Sequence, residues 1–96
     1  MSNLIPHFIH GQNTLGDSHR TSDVFNPATG LVTGRVPLAS KADVESAIAS
    51  AQAAFPAWAA TTPLNRARVL FKYKELLEKH ADEIAMAITL EHGKVF

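Results

Sequence analysis

Five histidines, nine acidic and nine basic side chains, one tryptophan and no cysteine make up the reactive inventory of this 96-residue chain. Without cysteine there is no disulfide, no thiolate nucleophile and no cysteine metal site. His7 and His10 are three apart in "HFIHGQ", which reads as one strand, so they point to opposite faces and do not chelate together. His80 and His92 fall near the ends of two helices, where an imidazolium suits the negative end of the dipole. The clusters that zinc or nucleophilic catalysis requires are missing from the sequence. Glu75 and Glu78 sit among Lys72, Lys74 and Lys79. Of the i,i+4 pairs Lys74–Glu78 and Glu75–Lys79 the second has the better orientation, and a solvated, salt-bridged face explains both. Arg66 and Arg68 invite a phosphate, but at ~100° per residue they lie about 200° apart and form no clamp; one of them is expected to pair with a partner domain. Gly30, Gly34 and Gly93 match no phosphate loop. Phe55 and Trp58 are expected in a core rather than as a stacking platform.

The elements that must hold these residues divide into residues 1–39, strand-like with turns, and residues 40–96, helical. The strand at residues 7–12 is followed by a polar loop over 13–19. "TSDVFNP" is a second strand stopped by Pro27. In "NPATG" Asn26 bonds its own backbone, Pro27 presets φ and Gly30 tolerates φ > 0. "LVTGRVPL" is a third strand with Val32, Gly34 and Val36 facing inward and Pro37 marking an edge or end. The second and third strands form an antiparallel hairpin.

Ser40 and Asp43 have the spacing of a capping box, with Asp for the usual Glu. Val44, Ala47, Ile48, Ala51, Ala54, Phe55 and Trp58 then follow helical spacing, and Pro56 is expected to end or kink the helix near Ala54. Thr62 caps a second helix with Pro63 at N1. Asp82 is expected to cap a third, apolar over more than half its circumference, and Gly93 to leave it in the left-handed region. That breadth of apolar surface calls for burial on several sides.

A formal charge of zero leaves no electrostatic footprint for nucleic acid or an anionic membrane, and it does not oppose self-association. No run approaches the roughly 20 apolar residues of a membrane span, and the start has no basic n-region of a signal peptide, so a cytoplasmic setting is expected. Composition is that of one small globular domain at most.

"DVFNPATGLVTGRVPLASKADVESAIASAQAAFPAW" followed by "TTPLNRARVLFKYKELLEKHADEIAMAITLEHGK" resembles the N-terminal part of the aldehyde dehydrogenase superfamily. With "HFIHGQ" added, the order and spacing are most similar to the CoA-acylating methylmalonate-semialdehyde dehydrogenase branch. The resemblance covers about residues 5–95. It implies an α/β parent of which this chain is the first part: an N-terminal hairpin and strands, then three α-helices belonging to an NAD-binding domain. It implies NAD and coenzyme A as the parent's cofactors, with the catalytic cysteine downstream, so that the chain alone is expected to be inactive scaffold and to bind neither. It also implies a monovalent cation held by main-chain oxygens at Val24 and Phe25 and by the carboxylate of Glu91. The partner is then the remainder of the dehydrogenase, or a second copy. A truncated, non-catalytic helical interaction or oligomerisation module is the alternative.

Overall fold

A computed structural model describes residues 3–96. The order is β1 (His7–Ile9), β2 (Gln12–Thr14), β3 (Thr21–Phe25), β4 (Val32–Pro37), α1 (Lys41–Ala60), α2 (Pro63–Lys79) and α3 (Ala81–His92).

The strand expected over residues 7–12 is two strands. β1 and β2 pair antiparallel, His7 opposite Thr14 and Ile9 opposite Gln12. The two residues between them, His10 and Gly11, have φ of 54° and 71°. Positive φ at both central positions gives a type I′ geometry, whose twist matches that of paired strands. The polar loop accordingly shrinks, with Asn13 and Thr14 taken into β2.

β3 and β4 form the expected hairpin, Val24 opposite Gly34 and Phe25 opposite Val32, with a register shift between Val24 and Phe25. Its turn works as the residue types dictate: the Ala28 N–H donates to Asn26 Oδ1 at 2.9 Å, and the Gly30 N–H to Asn26 O at 2.7 Å with φ 73°. A third segment joins without having announced itself by alternation. Asn3 to Ile5 run parallel to β4, with Ile5 N–H donating to Arg35 O at 2.8 Å and Arg35 N–H to Asn3 O at 2.7 Å. Gly34 makes this possible, because a Cβ there would stand 2.9 Å from Asn3 O. Of the face expected inward, Gly34 is buried, Val36 half-buried and Val32 exposed.

The Ser40–Asp43 box forms in both directions, at 3.0 Å and 2.9 Å. Pro56 does not end α1, which runs on to Ala60. Its ring removes one intrahelical donor but the helix continues through it. Thr62 caps α2 through the Asn65 N–H at 3.3 Å. Asp82 does not cap α3. Only His80 separates α2 from α3, so Asp82 already lies in the first turn and, with Glu83, meets the positive dipole end. Gly93 is left-handed at φ 83°, and its N–H donates to Thr89 O at 2.9 Å.

Among the described residues no large apolar side chain is buried. The radius of gyration is 17.1 Å, against about 12.5 Å for a compact chain of this length. The accessible surface of 7787 Å² exceeds by about 2,400 Å² what a compact monomer of this mass exposes. Phe55 and Trp58, expected in a core, are 66% and 43% exposed.

Candidate functional site

The left-handed exit of α3 meets the Asn-Pro turn: a Cβ on Gly93 would lie 3.2 Å from Pro27 Cγ. That contact sets the last turns of α3 beside the β3–β4 hairpin. Between them is a cleft of about 240 Å³ lined by Ile5, Val24, Thr33, Ala87, Leu90 and Glu91 among others. Val24 and Glu91, 67 positions apart in the sequence, thus share one cleft, while Phe25 is not among its lining residues. The Thr33 hydroxyl, also lining it, donates to Val24 O at 3.3 Å. Among its lining residues Thr33 brings a hydroxyl and Glu91 a carboxylate, oxygen donors of the hard kind that alkali and alkaline-earth cations accept.

The histidines go where an uninterrupted strand would not have put them. His10, as a turn residue, places Nδ1 3.0 Å from Ser50 Oγ on α1. His7 lines a second cleft, of about 360 Å³, with Phe8, Ile9, Asp43, Val44 and Ile48; its Nε2 is buried there without a hydrogen-bond partner. Both therefore face α1. Asp43 is held below the ordinary carboxylate value of 3.8, first by the Ser40 backbone N–H and then by the Ser40 hydroxyl, the Asp17 N–H and the nearby His7, with desolvation opposing. His80 Nδ1 contacts the Glu83 carboxylate, a cap-like pairing across the α2–α3 junction. His92 lies in the last turn of α3, as the dipole favours.

Glu75 pairs with Lys72 at 3.6 Å and not with Lys79, while Lys74–Glu78 forms at 2.8 Å. Pairs this exposed differ by tenths of a kcal/mol, so orientation preference does not decide between them. Arg68 donates to Asn65 Oδ1 at 3.2 Å and Arg66 is half-buried, with no joint clamp. No group of three or more His, Asp or Glu side chains gathers among the described residues, and no helix there is long and apolar enough to cross a membrane. What the geometry does is positional: a proline turn, a glycine exit and a capping box fix how two hairpins meet three helices.

The same arrangement occurs in known proteins. Human methylmalonate-semialdehyde/malonate-semialdehyde dehydrogenase (acylating, mitochondrial) is 49% identical over 87 residues, 91% of this chain and 16% of that one. The crystal structure of methylmalonate-semialdehyde dehydrogenase from Oceanimonas doudoroffii superposes with a TM-score of 0.88 at 52% identity, over 96% of this chain and 18% of that one. An NAD-dependent benzaldehyde dehydrogenase from Corynebacterium glutamicum gives 0.86 at 37% identity, over 93% of this chain and 19% of that one. The chain thus spans less than a fifth of the length of these relatives. Residues 14–96, from the last residue of β2 onward, match the model of the Aldehyde dehydrogenase family, and the chain belongs to that family.

Proposed function

We propose that this chain is the N-terminal scaffold of an NAD-dependent, CoA-acylating methylmalonate- or malonate-semialdehyde dehydrogenase acting in the cytoplasm. The observation that carries the reading is the 49% identity to the human acylating enzyme over 91% of the chain. In such an enzyme the remainder of the polypeptide supplies the nucleophile and the sites for NAD and coenzyme A. These 96 residues place a hairpin and three helices against it. The uncovered apolar helix faces support a scaffold role, since they need a covering surface.

The test is NAD reduction with methylmalonate semialdehyde, with and without coenzyme A. The open reading frame containing this segment is expected to turn over only with the thiol present. The 96-residue chain alone is expected to give none. Turnover independent of coenzyme A would overthrow the acylating branch, and turnover by the isolated chain would overthrow the scaffold role.

The cleft of Val24 and Glu91 fits a monovalent cation as a structural element of that scaffold. Val24, with the adjoining Phe25 main chain, and Glu91 would hold it. A carboxylate close to a helix C-terminus faces the negative dipole end, and a cation there relieves the repulsion. Replacing sodium or potassium by choline should lower the melting temperature of the whole enzyme, and Glu91→Gln should abolish the difference. Equal melting in all three salts removes the cation from the scaffold.

A further inference from the structure

The β1–β2 hairpin rests on α1 along one stripe. Between Lys41 and Ala60 the partly covered residues are Asp43, Ala47 and Ser50, at i, i+4 and i+7. His10, in the turn, reaches Ser50, and the half-buried His7 and Ile9 of β1 face the cleft beside Asp43 and Ala47. One atom in this joint is out of keeping with the rest. His7 Nε2 is closed off from solvent by the chain itself and has no hydrogen-bond partner among the described residues. With almost no surface of its own, it is out of reach of water and of any further polypeptide unless the hairpin moves. The cleft around the ring is otherwise apolar, walled by Phe8, Ile9, Val44 and Ile48, and Asp43 is the charged side chain lining it.

We propose that His7 is a pH-sensitive latch: neutral, it lets the β1–β2 hairpin seat against α1, and protonated, it releases it. The ground is the difference between an orphaned lone pair and an orphaned charge. A neutral imidazole has one N–H, and with that proton on Nδ1 the buried Nε2 is only an unused acceptor. An imidazolium donates from both nitrogens. Its Nε2–H would then be a buried cationic donor with nothing to accept it, a far more costly group to enclose.

Asp43 is the group that opposes release, since it is near enough for the two charges to interact. Its carboxylate is already taken by the Ser40 N–H at 2.9 Å and the Asp17 N–H at 3.4 Å, and it makes no hydrogen bond to Nε2. Turning to His7 would open the cap of α1. The other ionisable groups nearby are engaged or distant in role. Lys41 and Glu45 pair with each other at 3.8 Å, His10 holds Ser50, and Asp17 lies in the loop after β2. β2 carries no ionisable side chain, and the hydroxyl of Thr14, opposite His7, accepts from the Gly16 N–H at 3.2 Å. The hairpin is suited to respond, because two strands of three residues are marginal alone and depend on the surface they lie on. The latch is a joint within residues 7–50 and does not rest on the reaction assigned to the longer protein.

Amide hydrogen exchange on the product of the open reading frame containing this segment tests it, expressed as protection so that the pH dependence of the chemical rate drops out. Between about pH 8 and about pH 5.5, where imidazole gains its charge, protection over residues 7–14 should fall at least ~10-fold. Protection in β3 and β4 should not change. His7→Phe, a ring that takes no proton, should hold the protection of residues 7–14 constant, and His10→Gln should leave the fall in place. Equal protection at both pH values overturns the proposal. So does a rise at the lower pH, which pairing of His7 with Asp43 would give, a fall that survives His7→Phe, or one that His10→Gln removes. The parent's own profile decides the point even where His7→Phe fails to seat the hairpin.

Discussion

From Asn3 to Pro37 each strand finds a partner inside the described chain; from Lys41 to His92 the helices complete their own hydrogen bonds but leave their apolar faces bare. β1 has β2, β3 has β4, and the segment at residues 3–5 takes the outer edge of β4. Gly34 and Pro37, both in this half, are the residues buried among those described. In the helical half Phe71, Leu70 and Phe55 are each more than half exposed. Strands must borrow hydrogen bonds from other segments and so draw them in. A helix satisfies its backbone alone, and its side chains wait for a surface to meet. What stays uncovered on the helices is therefore side chain and not backbone.

That contrast can be broken most sharply at Gly34. Gly34→Val would drive a side chain into the Asn3 carbonyl and should cost about 2–3 kcal/mol, read as lost hydrogen-exchange protection at Ile5 and Arg35 with the helical amides unchanged. Next comes Gly16, at φ 72° with the Asp43 carboxylate where a Cβ would go. Gly30→Ala, with open space around it, should cost only the positive-φ strain of about 1–2 kcal/mol, and Gly16→Ala should cost more, since the Asp43 carboxylate must also move. Unfolding by urea separates the two.

Ser40→Ala should remove about 1 kcal/mol from the start of α1, visible as fraying of its first turn. The same box is acid-sensitive. The folded pKa of Asp43 is depressed, so its contribution is present above the unfolded value, near 3.8, and is lost as pH falls through the lower folded value. NMR titration of the Asp43 carboxylate should give a midpoint below 3.8, and Ser40→Ala should raise it. The smallest effects are two that the comparison requires to be small. Asp23→Asn breaks a half-exposed 3.2 Å pair with Arg35, and Leu70→Gln removes an apolar group that touches little; each should change stability by less than ~0.5 kcal/mol. A cost of several kcal/mol for Leu70→Gln would mean that the helical half has a core after all.

The elements legible in advance share one property. The Asn26–Gly30 turn, the Ser40–Asp43 box, the Thr62–Pro63 start and the Gly93 exit are each closed by hydrogen bonds within about four residues. The departures involve competition between neighbours. His10–Gly11 cuts one strand into two, Pro56 does not end α1, and the single-residue junction at His80 carries Asp82 inside α3. Of the candidate site, the residue types at Val24 and Glu91 were readable by likeness to the family. Their shared cleft was not, because nothing local to either residue says that Gly93 comes to rest on Pro27.

The sequence by itself determined the Asn26–Gly30 turn, the Ser40 and Thr62 caps, the Gly93 exit, the helical periods and the family, all of which follow from residue types acting at short range or in a long ordered series. Only the tertiary structure decided which stripe of α1 the hairpin covers, that residues 3–5 close on β4, and that His7 and His10 both turn toward one helix. Those outcomes depend on which distant surfaces fit together in space. Near Gly34 the deciding quantity is the absence of a single methyl group, a steric fact that acquires meaning only once the Asn3 carbonyl has arrived.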